Sequence, residues 1–222
     1  MKPTLAFDVY GTLIDTQGVL DTLLQMMGED AFAFSAAWRD KQLEYSFRRG
    51  LMDQYQDFSV CTRDALEFTC QSQQKHLSRI QKLALLEAYK TLPAFDDAPP
   101  ALAALQQSGY PLFAFSNGSR AAVDQLLSAA GIIDSFQAIV SCEDVKSFKP
   151  NPKVYQHFLQ TAQVDAQQAW LISSNPFDVI GAVAVNMKAA WVQRSQSQVF
   201  DPWDVSPTMT LESLHQLTHI ES

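Results

Sequence analysis

The stretch "LAFDVYGTLID", residues 5–15, closes an apolar run on the carboxylate of Asp8 and then turns through Gly11 and Thr12. Three further apolar runs lead to polar groups of complementary type. One ends in Ser116-Asn117-Gly118-Ser119; another is followed by "SFKPNPKVY", which carries Lys149. A third ends in Ser173-Ser174-Asn175, with Asp178 just beyond. In open α/β sheets, ligands bind beyond the carboxyl ends of the strands. A carboxylate, an ammonium group, hydroxyls and amides gathered at that edge would make a catalytic site for a small molecule. Each residue also has a plainer reading. Asp8, Ser116 and Asn117 could serve turns, and Lys149 could be a solvated loop charge. Asn175-Pro176 reads as a helix N-cap and first helical position, with Asp178 as a capping acid. The joint placement favours chemistry over these separate readings.

The elements that must position these groups follow from periodicity. Short apolar runs at 5–9, 112–115, 138–140, 170–172 and 189–192 read as buried parallel strands. Helical patterns around 98–108, 119–130, 152–163 and 176–187 separate the later ones. This alternation predicts a doubly wound α/β sheet. Between Thr16 and Leu92 the pattern is helical only, at roughly 17–27, 31–49, 56–71 and 75–90. The expected organisation is an α/β core of residues 1–15 and 93–222, interrupted by a helical cap over 16–92. Phe34, Trp38 and Tyr45 form one apolar stripe on the second cap helix. Ala36, Leu43 and Phe47 form another roughly opposite, flanked by Arg39 and Asp40, so the helix is expected to face a cleft as well as its own bundle.

Composition narrows the partners. The 222 residues are 47 % hydrophobic and carry a net charge of -8, without a long basic cluster. Nucleic acid and anionic membrane are therefore disfavoured, while a small anionic substrate is compatible with one local cation. The three cysteines are widely spaced and form no CxxC, which argues against a disulfide framework or zinc site. No apolar run is long enough to span a membrane, and the N-terminus lacks secretory-signal features. The expectation is a cytoplasmic protein with reduced thiols. His215 and His219 stand four apart near the C-terminus and read as part of an exposed terminal helix rather than a metal pair.

With these pieces assembled, the chain resembles the haloacid dehalogenase superfamily and, within it, the (S)-2-haloacid dehalogenase (type II) subgroup. The resemblance rests on "FDVYGTL", "WRDKQLEY", "SNGS", "KPNPKVY" and "SSNPFD", in family order and over nearly the whole chain. It implies a Rossmann-like core, a helical cap and a site between them, with Asp8 as nucleophile. It places Thr12, Ser116, Lys149, Tyr155, Ser173, Asn175 and Asp178 around the reacting carbon. It puts Arg39 and Asn117 at the leaving halide, and Tyr10, Leu43 and Phe58 in the pocket. Asp40, where relatives often have glutamine, and Phe177, where well-known relatives have tryptophan, are departures beside that pocket. Dimers are common in the subgroup, so a homodimer is possible.

Tyr10 also bears on the reaction. Phosphatases of the superfamily usually carry a second aspartate there, which protonates a basic leaving alkoxide. A halide needs no proton; it needs donors and positive charge. The same phosphatases bind Mg²⁺ with a further acid near the fourth strand, where this chain has Ser174-Asn175, so no metal or cofactor is expected. The resemblance thus implies hydrolysis of short (S)-2-haloalkanoic acids through an ester on Asp8. One rival opens a strained cyclic amino acid with the same nucleophile, Asp40 pairing with the substrate cation. A phosphatase and a non-catalytic binding protein are the remaining alternatives.

Overall fold

The computed structural model describes residues 2–220, except the side chains of Thr218 and His219. The exposure expected for His219, read with His215 as part of an exposed terminal helix rather than a metal pair, therefore falls outside what is described. Six strands form one parallel sheet: β1 (Thr4–Phe7), β2 (Leu112–Ser116), β3 (Ala138–Ser141), β4 (Ala169–Ser173), β5 (Lys188–Val192) and β6 (Met209–Leu211). Their order is β3-β2-β1-β4-β5-β6, so β1 lies between β2 and β4. Every residue of β1, β2 and β4 is buried. This is why the strands read as unbroken apolar runs rather than alternating ones.

Alternation survives in which face each side chain covers. Leu5, Phe7, Leu112, Ala114, Trp170 and Ile172 join one apolar cluster, completed by helices α5 (Ala98–Gln107) and α6 (Arg120–Ala129). Ala6, Phe113, Phe115, Ala169 and Leu171 face the other, closed by α7 (Pro152–Ala162) and α8 (Pro176–Ala184). The sheet is thus covered on both sides, as the strand–helix alternation predicts.

Between β1 and α5 run α1 (Leu20–Met27), α2 (Asp30–Leu51), α3 (Phe58–Ser72) and α4 (Arg79–Ala88). They share an apolar cluster of their own around Leu23, Phe34, Trp38, Leu66 and Leu85. The chain leaves and returns along one path. The Asp15 amide donates to the Pro93 carbonyl at 2.9 Å, the Phe95 amide donates to the Leu13 carbonyl at 2.9 Å, and Ile14 bridges antiparallel to Ala94. Gly18 sits against this crossing: a Cβ there would meet Leu92 and Pro93 atoms at 2.9 Å.

Three details differ from the sequence reading. β6 was not anticipated, being an edge strand of three residues with an exposed Thr210 in its middle. The helix expected from 75 starts at Arg79, where Ser78 and Gln81 form a capping box. On α2, Ala36 is exposed, so the second apolar stripe is reduced to half-buried Leu43 and Phe47. The buried face runs instead through Ala31, Phe34, Trp38, Gln42, Ser46 and Gly50, a line that includes polar residues.

Candidate active site

Asp8 is the first residue past β1, and its amide donates to the Ile172 carbonyl of β4 at 2.9 Å. Pinned between two neighbouring strands, it is only 7 % exposed. The chain then reverses: the amides of Leu13 and Ile14 both donate to the Val9 carbonyl at 3.0 Å. Gly11 takes a φ of +83°, which side-chain-bearing residues rarely adopt. The reversal returns the Thr12 hydroxyl to Asp8 Oδ2, to which it donates at 2.9 Å. Thr12 Oγ1 in turn accepts from the Ser174 amide at 2.8 Å, and Ser174 Oγ donates to the Gly11 carbonyl at 2.7 Å.

The loop after β4 supplies a second donor to the same oxygen: Asn175 Nδ2 donates to Asp8 Oδ2 at 2.8 Å. This corrects the capping interpretation. Asn175 occupies the N-cap position of α8 by backbone, but its side chain makes no cap bond. Ser173 does not touch Asp8; its hydroxyl accepts from the Asn175 amide at 3.1 Å and shapes the loop.

Lys149 is 1 % exposed and spends all three ammonium hydrogens. It donates to Asp8 Oδ1 at 3.1 Å, to Asp178 Oδ2 at 2.7 Å and to the Phe115 carbonyl at 2.8 Å. Burial alone would push the Lys149 ammonium down, but Asp178 and Asp8 outweigh it and hold it above the ordinary lysine value. Burial pushes the Asp178 carboxyl up, opposed by Lys149. Asp178 is fully buried, and its other oxygen accepts from the Tyr155 hydroxyl at 2.7 Å. Tyr155 therefore meets Asp178 and not Asp8. Asp178 is bound to Lys149 rather than capping α8.

The turn after β2 holds the lysine loop. Asn117 Oδ1 accepts from the Lys149 amide at 2.9 Å, and Ser116 Oγ accepts from the Gly118 amide at 3.1 Å. The Asn117 amide nitrogen has no acceptor among the described residues. Arg39 is half-buried on α2 and forms no ion pair among them. Its guanidinium lies 3.5 Å from Gln42 Oε1, while Gln42 Nε2 donates to the Tyr89 hydroxyl at 3.1 Å. Burial pushes the Tyr10 phenol up to about 12, against the lowering effect of Arg39, the cation closest in influence. Tyr10 thus stays neutral through the physiological range.

Aromatic side chains pair on two sides of these residues, and Asp8 and Arg39 are in neither of the two cavities they line. Tyr10 meets Phe58 at 6.2 Å between ring centroids, and Phe47 meets Phe177 edge-on at 5.0 Å. A cavity of about 630 Å³ includes Phe47, Phe148, Lys149, Phe177 and Ile180 in its lining; another of about 320 Å³ includes Tyr10, Phe58, Tyr89 and Gly118. Leu43 is half-buried on the same helix as Arg39. Asp40 is exposed and makes no hydrogen bond among the described residues. It follows Arg39, and one helical step turns a side chain by about 100°. Gln42 and Tyr89, in line with Arg39, and Ser174, bound to Thr12, make contacts with the expected site residues that sequence reasoning did not single out; Ser174 lay in view inside "SSNPFD".

The donor set suits hydrogen bonding rather than a cation. Lys149 bridges the two buried carboxylates, and no group of three His, Cys, Asp or Glu among the described residues forms a metal-holding cluster.

Residues 2–186 match the haloacid dehalogenase-like hydrolases. The chain belongs to this family. It is 33 % identical to the (S)-2-haloacid dehalogenase of Pseudomonas sp. (strain YL), covering 97 % of this chain and 93 % of that one. It is 32 % identical to haloacetate dehalogenase H-2 of Moraxella sp. (strain B), over 97 % and 96 %. Among solved structures, the family likeness extends to the L-2-haloacid dehalogenase of Xanthobacter autotrophicus with chloropropionic acid covalently bound. That match has a TM-score of 0.88 at 30 % identity and covers 98 % of this chain and 97 % of the other. In this chain the buried carboxylate just past the central strand β1, that of Asp8, is fixed by three donors.

Proposed function

We propose that this hydrolase cleaves the carbon–halogen bond of short (S)-2-haloalkanoic acids and releases (R)-2-hydroxy acids, with Asp8 as nucleophile. The observation that carries the reading is the asymmetry of the Asp8 carboxylate. Oδ2 accepts from Thr12 and Asn175, whereas Oδ1 accepts from Lys149 alone. Oδ1 keeps a lone pair for attack on C2, opposite the halogen. The C2–halogen bond breaks as the C2–Oδ1 bond forms, and the halide leaves with its electron pair. Displacement inverts the carbon. Arg39 and the free amide of Asn117 are the groups suited to stabilise the departing halide.

Oδ2 is then the carbonyl oxygen of the ester. Water adds at Cγ, negative charge gathers on Oδ2, and the donors from Thr12 and Asn175, at 2.9 and 2.8 Å, are already aimed at it. Collapse breaks the Cγ–Oδ1 bond. Of the two protons of the added water, one goes to the alkoxide, which leaves as the hydroxy acid, and one to solvent, while the water oxygen stays in the ionised Asp8 carboxylate. Asp178 acts through Lys149, which it keeps charged and oriented.

In this reading residues 16–92 form the cap, and residues 1–15 and 93–222 the core. The separate apolar cluster of α1–α4 supports that division. A cytoplasmic setting and a homodimer complete the proposal. No helix among the described residues is long and apolar enough to cross a membrane. The haloacid dehalogenases that the chain resembles favour this reading over ring opening of a cyclic amino acid, for which exposed Asp40 offers no contact of its own.

The test is halide release from each enantiomer of 2-chloropropionate, with and without a chelator. Release from the (S) enantiomer alone, indifferent to chelation, is expected. Release from neither, together with Mg²⁺-dependent phosphate release from phosphomonoesters, would replace this reading with the phosphatase one.

A further inference from the structure

Two residues past β5, Arg194 sends its guanidinium inward to the turn that carries Thr12. One terminal nitrogen donates to both oxygens of Asp97, at 2.9 and 2.8 Å, and the other donates to the Thr12 carbonyl. The guanidinium lies over the Phe95 ring, 4.1 Å from its centroid. Both partners of the ion pair are sheltered, with side chains 11 % and 14 % exposed. Asp97 is itself held by two more donors, Ser213 Oγ at 2.9 Å and the Leu214 amide at 2.8 Å. Burial would raise the Asp97 carboxyl, but Arg194 and these donors hold it below the ordinary aspartate value. Among the described residues, no other hydrogen-bond donor reaches the Thr12 carbonyl.

We infer that Arg194 is a positioning residue for the reaction on Asp8, acting through Thr12. The same residue that offers its carbonyl to Arg194 offers its hydroxyl to Asp8 Oδ2, the proposed oxyanion position. Arg194, Ser213 and Leu214 all lie beyond residue 186, where the family match ends. The C-terminal segment thus supports the nucleophile turn from behind, through a planar cation that reaches a carboxylate and a carbonyl at once. An ammonium group has the charge but not the fork.

This inference rests on the dehalogenase reading, and its test separates the two. Arg194→Lys and Arg194→Met are compared with the parent protein, each with its folded fraction measured by circular dichroism. Halide release from (S)-2-chloropropionate is then resolved into kcat and KM. A misplaced catalytic group can cost up to about 10²-fold in rate. A fall in kcat of roughly that size is expected for Arg194→Met, with a smaller fall for Arg194→Lys and KM little changed. The distinguishing measurement repeats Arg194→Lys in a Thr12→Val background. If Arg194 acts through Thr12, its effect on kcat disappears once the hydroxyl is gone. An equal fall in both backgrounds, or an unchanged kcat per folded molecule, overturns the inference. Absence of halide release from the parent protein overturns the underlying reading instead.

Discussion

Replacing Asp8 by asparagine keeps the size of the side chain and removes the nucleophile. The expected outcome for Asp8→Asn is a folded protein without measurable halide release. In a single turnover in heavy-oxygen water, label should appear in Asp8 and not in the first product; label in that product with none in Asp8 would contradict the ester route. Arg39 tests the leaving-group side. Charge on the halogen is greater in the transition state than in the bound substrate, so Arg39→Ala should lower kcat more than it raises KM. Losing one preorganised donor typically costs about 10²–10³ in rate. Arg39→Lys should restore part of it. Asp40→Gln, at an exposed side chain with no hydrogen-bond partner among the described residues, should leave stability within about 0.5 kcal/mol of the parent and kcat little changed. Asp8, Thr12, Lys149, Asn175 and Asp178 could be seen in the sequence because each follows a strand and is polar where the strand is not. Gln42 and Tyr89 could not. An uncharged residue on a long helix carries no mark of what it meets, and Tyr89 comes from the turn that ends a different helix, α4.

Helix α8 shows how an element carries chemistry it does not perform. Gly181 lies one turn from Asp178, and a Cβ there would collide with the Tyr155 hydroxyl. That hydroxyl is the donor to Asp178. Gly181→Ala should therefore force Tyr155 away, reducing stability by about 1–3 kcal/mol through overpacking, and reduce kcat as well. Tyr155→Phe in the same background should relieve part of the strain while leaving Asp178 one donor short. Thermal melts and halide release on the same samples check both effects; an unchanged melting temperature for Gly181→Ala would refute the contact. The strands β1 to β5 and all eight helices were legible because long or wholly apolar segments state their period. β6 was not, since three residues hold too little pattern. Neither was the buried face of α2: hydrophobic periodicity counts only apolar residues, and this face passes through Gln42 and Ser46.

Across the whole molecule, the triad of Asp8, Lys149 and Asp178 sets the response to pH. The folded value of Lys149 lies above its unfolded one, about 10.4. Its contribution to stability is therefore fully present below that value and falls as pH rises through the higher folded value, where the native state holds the proton that the unfolded chain has lost. kcat should stay level from about pH 7 to about pH 10 as far as Lys149 is concerned. An alkaline midpoint near 8 that Lys149→Arg shifts would contradict this. The paired crossing at Leu13–Asp15 and Pro93–Phe95 has a different consequence, one of inheritance. The interrupted strand-to-helix path is held closed by its own hydrogen bonds, so the length of the excursion hardly matters to the frame it leaves. Closing a long loop costs only slightly more than closing a short one. Descendants of such a chain are free to lengthen, trade or redraw the residues between these two stretches, and with them the shape of what is admitted. The carboxylate at the end of β1 would be passed on untouched.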